Sequence, residues 1–406
     1  MQLGLFRNID KKELTEELFY AYYDCRKNKR NTINALAFEK HFEDGIYKLA
    51  EEIYQGTYHP GRSIAFIVNK PVKREIFAAD FRDRIVHHWL INKLNTLFEQ
   101  VFLPDSYACR VGKGTHYGID RVSKFIQTCS ENYTQNCYIL KLDIRGFFMH
   151  IHRAILFEKL EAFIHDKYRL EDKALVLELA HKIIFSHPAK NCIIKGKKED
   201  WSGLPKDKSL FYSADNCGLP IGNLTSQVFA NFYMNEFDHF VKKTLKIKYY
   251  GRYVDDFILI HQDKNYLKSL IPTMTQYLSE YLKLKLHPNK IYLQHFTKGV
   301  KYLGTIILPH RIYIGNRTKG NFYAAIQQQN ELIRTRKPDK EELTYFASLV
   351  NSYLGIFKHY RTYNIRKKLI KKEISAWWWN YFYVSNGMTK ISPKVRVVNS
   401  RLNLLA

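Results

Sequence analysis

Tyr253-Val254-Asp255-Asp256 places two adjacent carboxylates in an apolar run that continues as Phe257-Ile258-Leu259-Ile260. Aspartate is depleted from strands, and a carboxylate in a low-dielectric setting is disfavoured unless a cation or hydrogen-bond donors compensate it. A divalent metal ion is the natural compensation. With Tyr249 and Tyr250 before it and the Ile/Leu run after it, the segment reads as strand, tight turn, strand, with the Asp pair at the tip. A solvated Asp-Asp hairpin turn has the same signature, and the motif alone does not separate the two. Asp143 adds a third carboxylate, at the end of the buried-type strand Tyr138-Ile139-Leu140-Lys141-Leu142-Asp143-Ile144. If these strands are neighbours, the three carboxylates lie a few ångströms apart. That is the geometry for holding two Mg²⁺ ions about 4 Å apart in an in-line phosphoryl displacement. Such a site needs few protein groups, because positioning and charge neutralisation supply most of the rate.

The elements that must position these residues are mixed. Residues 1–55 alternate charged and apolar positions at helical spacing, and short strands are expected at 62–68 and 74–77 around Pro71, followed by a helix over 80–98. After the strand ending at Asp143, a helix is expected from Gly146 to 163, then a loop-like excursion over 187–217 carrying Gly196, Gly203, Pro205 and several lysines. Helices are expected over 224–243 and 265–284, a strand over 299–307, and a helical, basic C-terminal third.

Lys and Arg number 64 against 39 Asp and Glu, a formal charge of +25, so the chain carries a strong positive field and a polyanion is the expected partner. There is no apolar segment long enough to span a bilayer and no signal-peptide pattern at the start, so a cytoplasmic protein is expected, without a membrane partner. The six cysteines lack any C-x-x-C spacing, which argues against a zinc ribbon or a disulfide framework. His150-x-His152 has no matched ligand partners nearby in the sequence.

Taken in order, these motifs make the chain resemble a reverse transcriptase from roughly residue 62 to the C-terminal helices. Arg74-Glu75-Ile76 followed by Arg82-Asp83-Arg84-Ile85-Val86 resembles the fingers blocks, which implies that Arg74, with Lys70 or Lys73, contacts the incoming triphosphate. The run 106–114, with Arg110 and Lys113, is similar to a template-contacting segment. Leu142-Asp143-Ile144-Arg145-Gly146-Phe147-Phe148 resembles the first catalytic motif, in which Phe148 packs under the sugar and rejects a 2′-hydroxyl. Tyr253-Val254-Asp255-Asp256 is then the second catalytic motif, and Pro288-Asn289-Lys290 resembles the segment carrying a general-acid lysine. Tyr302-Leu303-Gly304 resembles the primer grip, and 352–368, with Lys358 and Arg361, resembles a thumb helix bearing on an RNA/DNA hybrid.

The resemblance implies an α+β right-hand polymerase. Its parts are a helical extension (1–55), fingers (56–137), a palm of antiparallel sheet with packed helices (138–310) and a helical thumb with C-terminal tail (311–406). It also implies two Mg²⁺ ions, replaceable by Mn²⁺, held by Asp143, the Ile144 backbone, Asp255 and Asp256, with dNTPs, template RNA and RNA/DNA hybrid as partners.

Gly218-Leu219-Pro220-Ile221-Gly222-Asn223-Leu224-Thr225-Ser226-Gln227 narrows the resemblance. Ile221 stands where many bacterial reverse transcriptases have Gln, and Gln227 where they have Pro. This form, with Lys208-Ser209-Leu210-Phe211 before it, is similar to the bacterial or phage-encoded enzymes of diversity-generating retroelements. Those copy a template-repeat RNA with errors at adenines and work with a small, basic, ring-forming accessory protein. Replacing an amide beside the nascent base pair with a branched apolar side chain removes polar checking of the pair, so Ile221, Gly222 and Gln227 join the expected nucleotide site. The competing readings are an antiphage defence reverse transcriptase with its own noncoding RNA, and a catalytically silent RNA-binding scaffold. The presence of all three carboxylates weighs against the last.

Overall fold

A computed structural model describes residues 9–27, 32–69 and 72–394. The chain parts into two compact units, one formed by 1–122 with 138–293 and the other by 123–137 with 294–406.

Three helices open the first unit: Lys11–Arg26, capped by the Asp10 carboxylate on the Lys12 N–H, then Ile33–Glu39 and Phe42–Tyr54. Helical spacing of their apolar residues buries Leu14, Leu18, Ala21, Ile46, Leu49 and Ile53 in one core with the long helix Phe81–Val101. Along the chain come strands β1 (Ile64–Val68), β2 (Arg74–Ala78), β3 (Tyr138–Asp143), β4 (Ile193–Ile194), β5 (Tyr249–Tyr253), β6 (Asp256–His261) and β7 (Tyr292–His295). β1 and β2 form an antiparallel pair, with β4 added parallel to β1. The sheet that carries the carboxylates has the order β5-β6-β3-β7, with both β3 and β5 antiparallel to β6. β3 and β6 are buried almost throughout, as their continuous apolar runs require.

Several expected elements differ in detail. The helix expected from 146 to 163 is broken into Phe147–His150 and Arg153–Lys167, because residues 151–153 bond to a returning segment. There the Gly218 N–H donates to the Ile151 carbonyl and the Arg153 N–H to the Asn216 carbonyl, both at 2.9 Å. The 224–243 helix is likewise divided, into Leu224–Tyr233 and Asn235–His239 followed by a wide turn. The 187–217 excursion is a chain of short 3₁₀ turns around β4.

In the second unit, the single strand expected over 299–307 is a hairpin of β8 (Val300–Tyr302) and β9 (Thr305–Leu308), extended by β10 (Arg311–Ile314). The chain reverses because Leu303 and Gly304 both take positive φ, +45° and +84°. Residues from 294 onward group with 123–137 in this unit. Helices Asn316–Thr335, Lys340–Phe357 and Tyr363–Lys368 follow, then a hairpin of β11 (Phe382–Val384) and β12 (Ile391–Pro393). Trp378 seals the core, stacked on Phe346 at 3.7 Å, whereas Trp377 is exposed. Among the described residues no helix is long and apolar enough to cross a membrane.

The sheet is anchored by a buried ion pair. Arg252 on β5 is wholly inaccessible to solvent, and its Nε and Nη2 each donate to the Asp238 carboxylate at 2.7 Å. Asp238 also accepts from the Tyr250 hydroxyl at 2.6 Å. Removing one partner of such a pair leaves an uncompensated buried charge, so Asp238→Ala is expected to lower unfolding stability by about 3–5 kcal/mol. Urea unfolding checks this, and a loss under about 1 kcal/mol, the scale of an exposed pair, would show that the network does not anchor the sheet.

Candidate active site

β5 and β6 are joined by a two-residue turn, Val254-Asp255, with Tyr253 facing Asp256 across the ladder. Val254 has φ +58°, a conformation that costs a β-branched residue backbone strain. Arg252 holds the turn in place, its Nη1 donating to the Val254 carbonyl at 3.0 Å. The same guanidinium reaches the Ser106 hydroxyl (3.2 Å) and the Asn231 side-chain oxygen (3.3 Å), tying the turn to segment 105–108 and to the helix Leu224–Tyr233. Antiparallel register then sets Asp143, the last residue of β3, directly opposite Asp256. The Ile144 N–H donates to the Asp255 carbonyl at 3.2 Å, which closes the sheet edge around the three carboxylates.

The segment 285–290 brings the fourth charge. The Arg145 N–H donates to the Lys285 carbonyl and the His287 N–H to the Asp143 carbonyl, at 2.9 and 2.8 Å. Lys290 Nζ then donates to Asp143 Oδ1 at 2.7 Å. Lys141 Nζ stands 3.2 Å from Asp256 Oδ2. Sequence reasoning missed Lys141, yet it lies two residues before Asp143, and strand periodicity puts both on one face. Burial, with repulsion from Asp143 and Asp256, pushes the Asp255 carboxyl up to about 7. Burial also raises Asp256, against the pull of Lys141.

Among the described residues no group of three or more His, Cys, Asp or Glu side chains stands as a ready-made metal cluster. Lysines hold two of the carboxylates. The donor set nevertheless fits a cation: Asp256 Oδ1 is buried with no hydrogen-bond partner, and burial together with mutual repulsion raises Asp255. A divalent ion would relieve both.

Of the expected nucleotide residues, Phe148, Ile221 and Gly222 lie around Phe77. Phe148 and Ile221 both pack on a cluster of Ala65, Phe77, Met149 and Leu210. The Phe77 N–H donates to the Ile221 carbonyl, and the Leu219 N–H to the Phe148 carbonyl, each at 2.8 Å. Gly222 has φ +125°, and a side chain there would press on Ile76 and the Phe77 carbonyl, so glycine is required. Arg74 is exposed on β2, while Lys70 lies outside the described residues. Gln227 is exposed and accepts from the Cys109 thiol at 3.1 Å.

The expected template contact by Arg110 needs correction. Its side chain is 4% exposed and is engaged internally by Glu99 and by the carbonyls of Leu103 and Ser106, so it holds the 99–110 loop together. Lys113 donates to the Pro104 carbonyl at 2.5 Å and lies over the Tyr117 ring. In the second unit Tyr302 is buried, Leu303 and Gly304 form the β8–β9 turn, and Lys358 and Arg361 are exposed.

Residues 69–307, more than half of the chain, match the family model of reverse transcriptase (RNA-dependent DNA polymerase), and the chain belongs to that family. It thus carries an RNA-directed DNA polymerase domain of the α+β right-hand type, a class that generally works with divalent metal ions. Protein YkfC of Escherichia coli (strain K12) is 23% identical over 301 residues, covering 66% of this chain and 72% of that protein. Among solved structures, apo telomerase from Candida tropicalis truncated from its C-terminal domain matches at 14% identity and TM-score 0.45, over 62% of this chain and 55% of that one. Telomerase from Candida albicans in complex with a TWJ fragment of telomeric RNA matches at 14% identity and TM-score 0.41, over 77% and 59%. The chain therefore spans less than two thirds of the length of either telomerase chain.

The shift on Asp255 has a pH consequence of definite sign. Its carboxyl binds a proton more tightly folded, at about 7, than at its ordinary value of 3.8, so its contribution to stability is complete below about pH 4 and is lost as pH rises through 7. In EDTA, Asp255→Asn is expected to flatten the decline of urea-unfolding stability across that window. An unaltered slope would show that Asp255 ionises like an exposed carboxylate.

Proposed function

We propose that this protein copies a structured RNA into cDNA, with low fidelity at template adenines, for diversification of a target gene. The observation that carries the chemistry is the register match of Asp143 with Asp256 beside the Asp255 turn, with Lys290 on Asp143. Asp143, Asp255 and Asp256 are the residues to hold two Mg²⁺ ions, with the Ile144 backbone as a further ligand. Ions held by these residues would supply charge neutralisation at the attacking and leaving oxygens.

The side chains have separate tasks. Lys290, an ammonium group 2.7 Å from Asp143, serves as general acid toward the leaving pyrophosphate. Arg74, exposed on β2, receives the triphosphate together with Lys70. Phe148 excludes a 2′-hydroxyl by bulk. Ile221 supports the low-fidelity reading: packed on the same cluster as Phe148, it offers an apolar contour and no side-chain hydrogen bond to test the base pair. Tyr302-Leu303-Gly304, Lys113, Lys358 and Arg361 are assigned to primer and template, and the charge of +25 favours phosphate contacts that weaken steeply with salt. A small basic ring-forming accessory protein is the proposed protein partner.

A primed RNA template with dNTPs and Mg²⁺ tests the chemistry. Asp255→Asn is expected to lower primer extension by at least about a hundredfold while RNA binding persists. Undiminished synthesis would remove the site assignment. Sequencing cDNA made by Ile221→Gln is expected to show fewer misincorporations opposite template adenine than wild type, and equal rates would dismiss the fidelity reading. A pair of near-identical repeats differing at adenines in the flanking DNA would support diversification, and their absence would favour a defence role.

A further inference from the structure

Glu75 is a carboxylate on the fingers strand β2 that neither the metal site nor the triphosphate contact uses. It is 1% exposed, and strand alternation puts it on the same face as Phe77, opposite Arg74. Three donors converge on it, all from the 187–217 excursion: Trp201 Nε1 at 2.6 Å, the Ser209 hydroxyl at 2.7 Å and the Leu210 N–H at 2.6 Å. A buried carboxylate with this set of donors is a strong, directional anchor. The adjacent Lys73 Nζ adds a bond to the Ser202 carbonyl at 2.6 Å.

What is anchored matters more than the anchor. Leu210 belongs to the cluster on which Phe148 and Ile221 pack, and the Phe211 ring lies tilted against Phe77 with ring centres 5.2 Å apart. The same excursion reaches the catalytic turn, where Arg145 Nε donates to Asp207 Oδ2 at 3.0 Å. Gly146, at φ +53°, allows the Asp207 carbonyl to approach so closely that any side chain would collide with it. Segment 201–211 thus bridges β2 and the turn after Asp143, and three of the hydrogen bonds at its β2 end go to the single carboxylate of Glu75.

We propose that Glu75 is a positioning residue for nucleotide selection: it fixes segment 201–211 as the wall behind Phe148 and Ile221, so that discrimination among dNTPs depends on a residue that touches none of them. This rests on the reading of Phe148 and Ile221 as the nucleotide pocket. Loss of the anchor leaves the carboxylates and their lysines in place and lets Leu210 retreat, which loosens the pocket.

Single-nucleotide insertion by the full-length protein on a primed RNA template tests this, with each dNTP titrated in Mg²⁺. Glu75→Ala is expected to raise KM for dNTP by about tenfold, the equivalent of one charge-assisted hydrogen bond, with kcat nearly unchanged. The ratio of correct to incorrect insertion opposite adenine should shift, and Glu75→Gln, which keeps an acceptor, should restore part of both. If Glu75→Ala does not fold, the double variant Trp201→Phe with Ser209→Ala removes two donors, leaves the carboxylate, and decides by the same readouts. A folded variant with wild-type KM and error ratio, or one losing kcat alone, overturns the proposal. A wild-type protein that extends no primer overturns the activity reading and this inference together, whereas an active wild type with indifferent variants overturns the inference alone.

Discussion

The candidate site depends on one guanidinium. Arg252 sits out of solvent on β5, paired through two bonds to Asp238, and uses its remaining donors on Val254, Ser106 and Asn231. Burying that charge is tolerable only because every side of it is matched. The match ties together the carboxylate turn, the segment before the Thr115–Cys129 helix and the helix Leu224–Tyr233, whose first turn lies in the 218–227 block. Segment 105–107 also bonds along the backbone of Arg252, with the Arg252 N–H to the Asp105 carbonyl and the Tyr107 N–H to the Arg252 carbonyl, both at 2.9 Å. A strained valine at the tip is sustained because its surroundings over-determine it.

Electrostatics supplies the second constraint. Three carboxylates meet at one sheet edge, and burial, with their mutual repulsion added, raises Asp255. Lys290 and Lys141 answer part of it, each from a different direction: one from a turn more than a hundred residues downstream, one from the same strand face. Each lysine reaches its carboxylate on a flexible four-carbon stem, so either pair can open without disturbing the backbone. The buried, unpartnered Asp256 oxygen is the part that lysines leave unanswered.

The third constraint is the excursion 187–217. Its composition reads as loop, and loops ordinarily stay at the surface because buried backbone needs partners. Here the partners exist: the Glu75 carboxylate on β2 takes the Leu210 N–H, and Arg145 in the Gly146 turn holds Asp207. Ser209 and Leu210 are consequently buried, and the segment serves as a wall.

The amino-acid sequence by itself determined the elements and the chemistry. Period-2 and period-3.6 patterns locate the strands before Asp143 and around Asp255, and the helices at 80–98 and 265–284, because those patterns are set by local geometry. Acidic residues in apolar runs mark the site, because desolvation makes them costly unless used. Breaks and turns were less legible: the helix after Gly146 divides where a distant segment bonds to 151–153, and the strand at 299–307 folds back at Leu303-Gly304. Tertiary structure alone decided which charges meet. Arg110 carries the composition of a template contact, yet Glu99 and two carbonyls claim it; Glu75 looks like an ordinary strand acid, yet three donors from residues 201–210 converge on it. Sequence spacing encodes which face a side chain takes, but the partner on that face comes from another part of the chain, and only packing brings the two together.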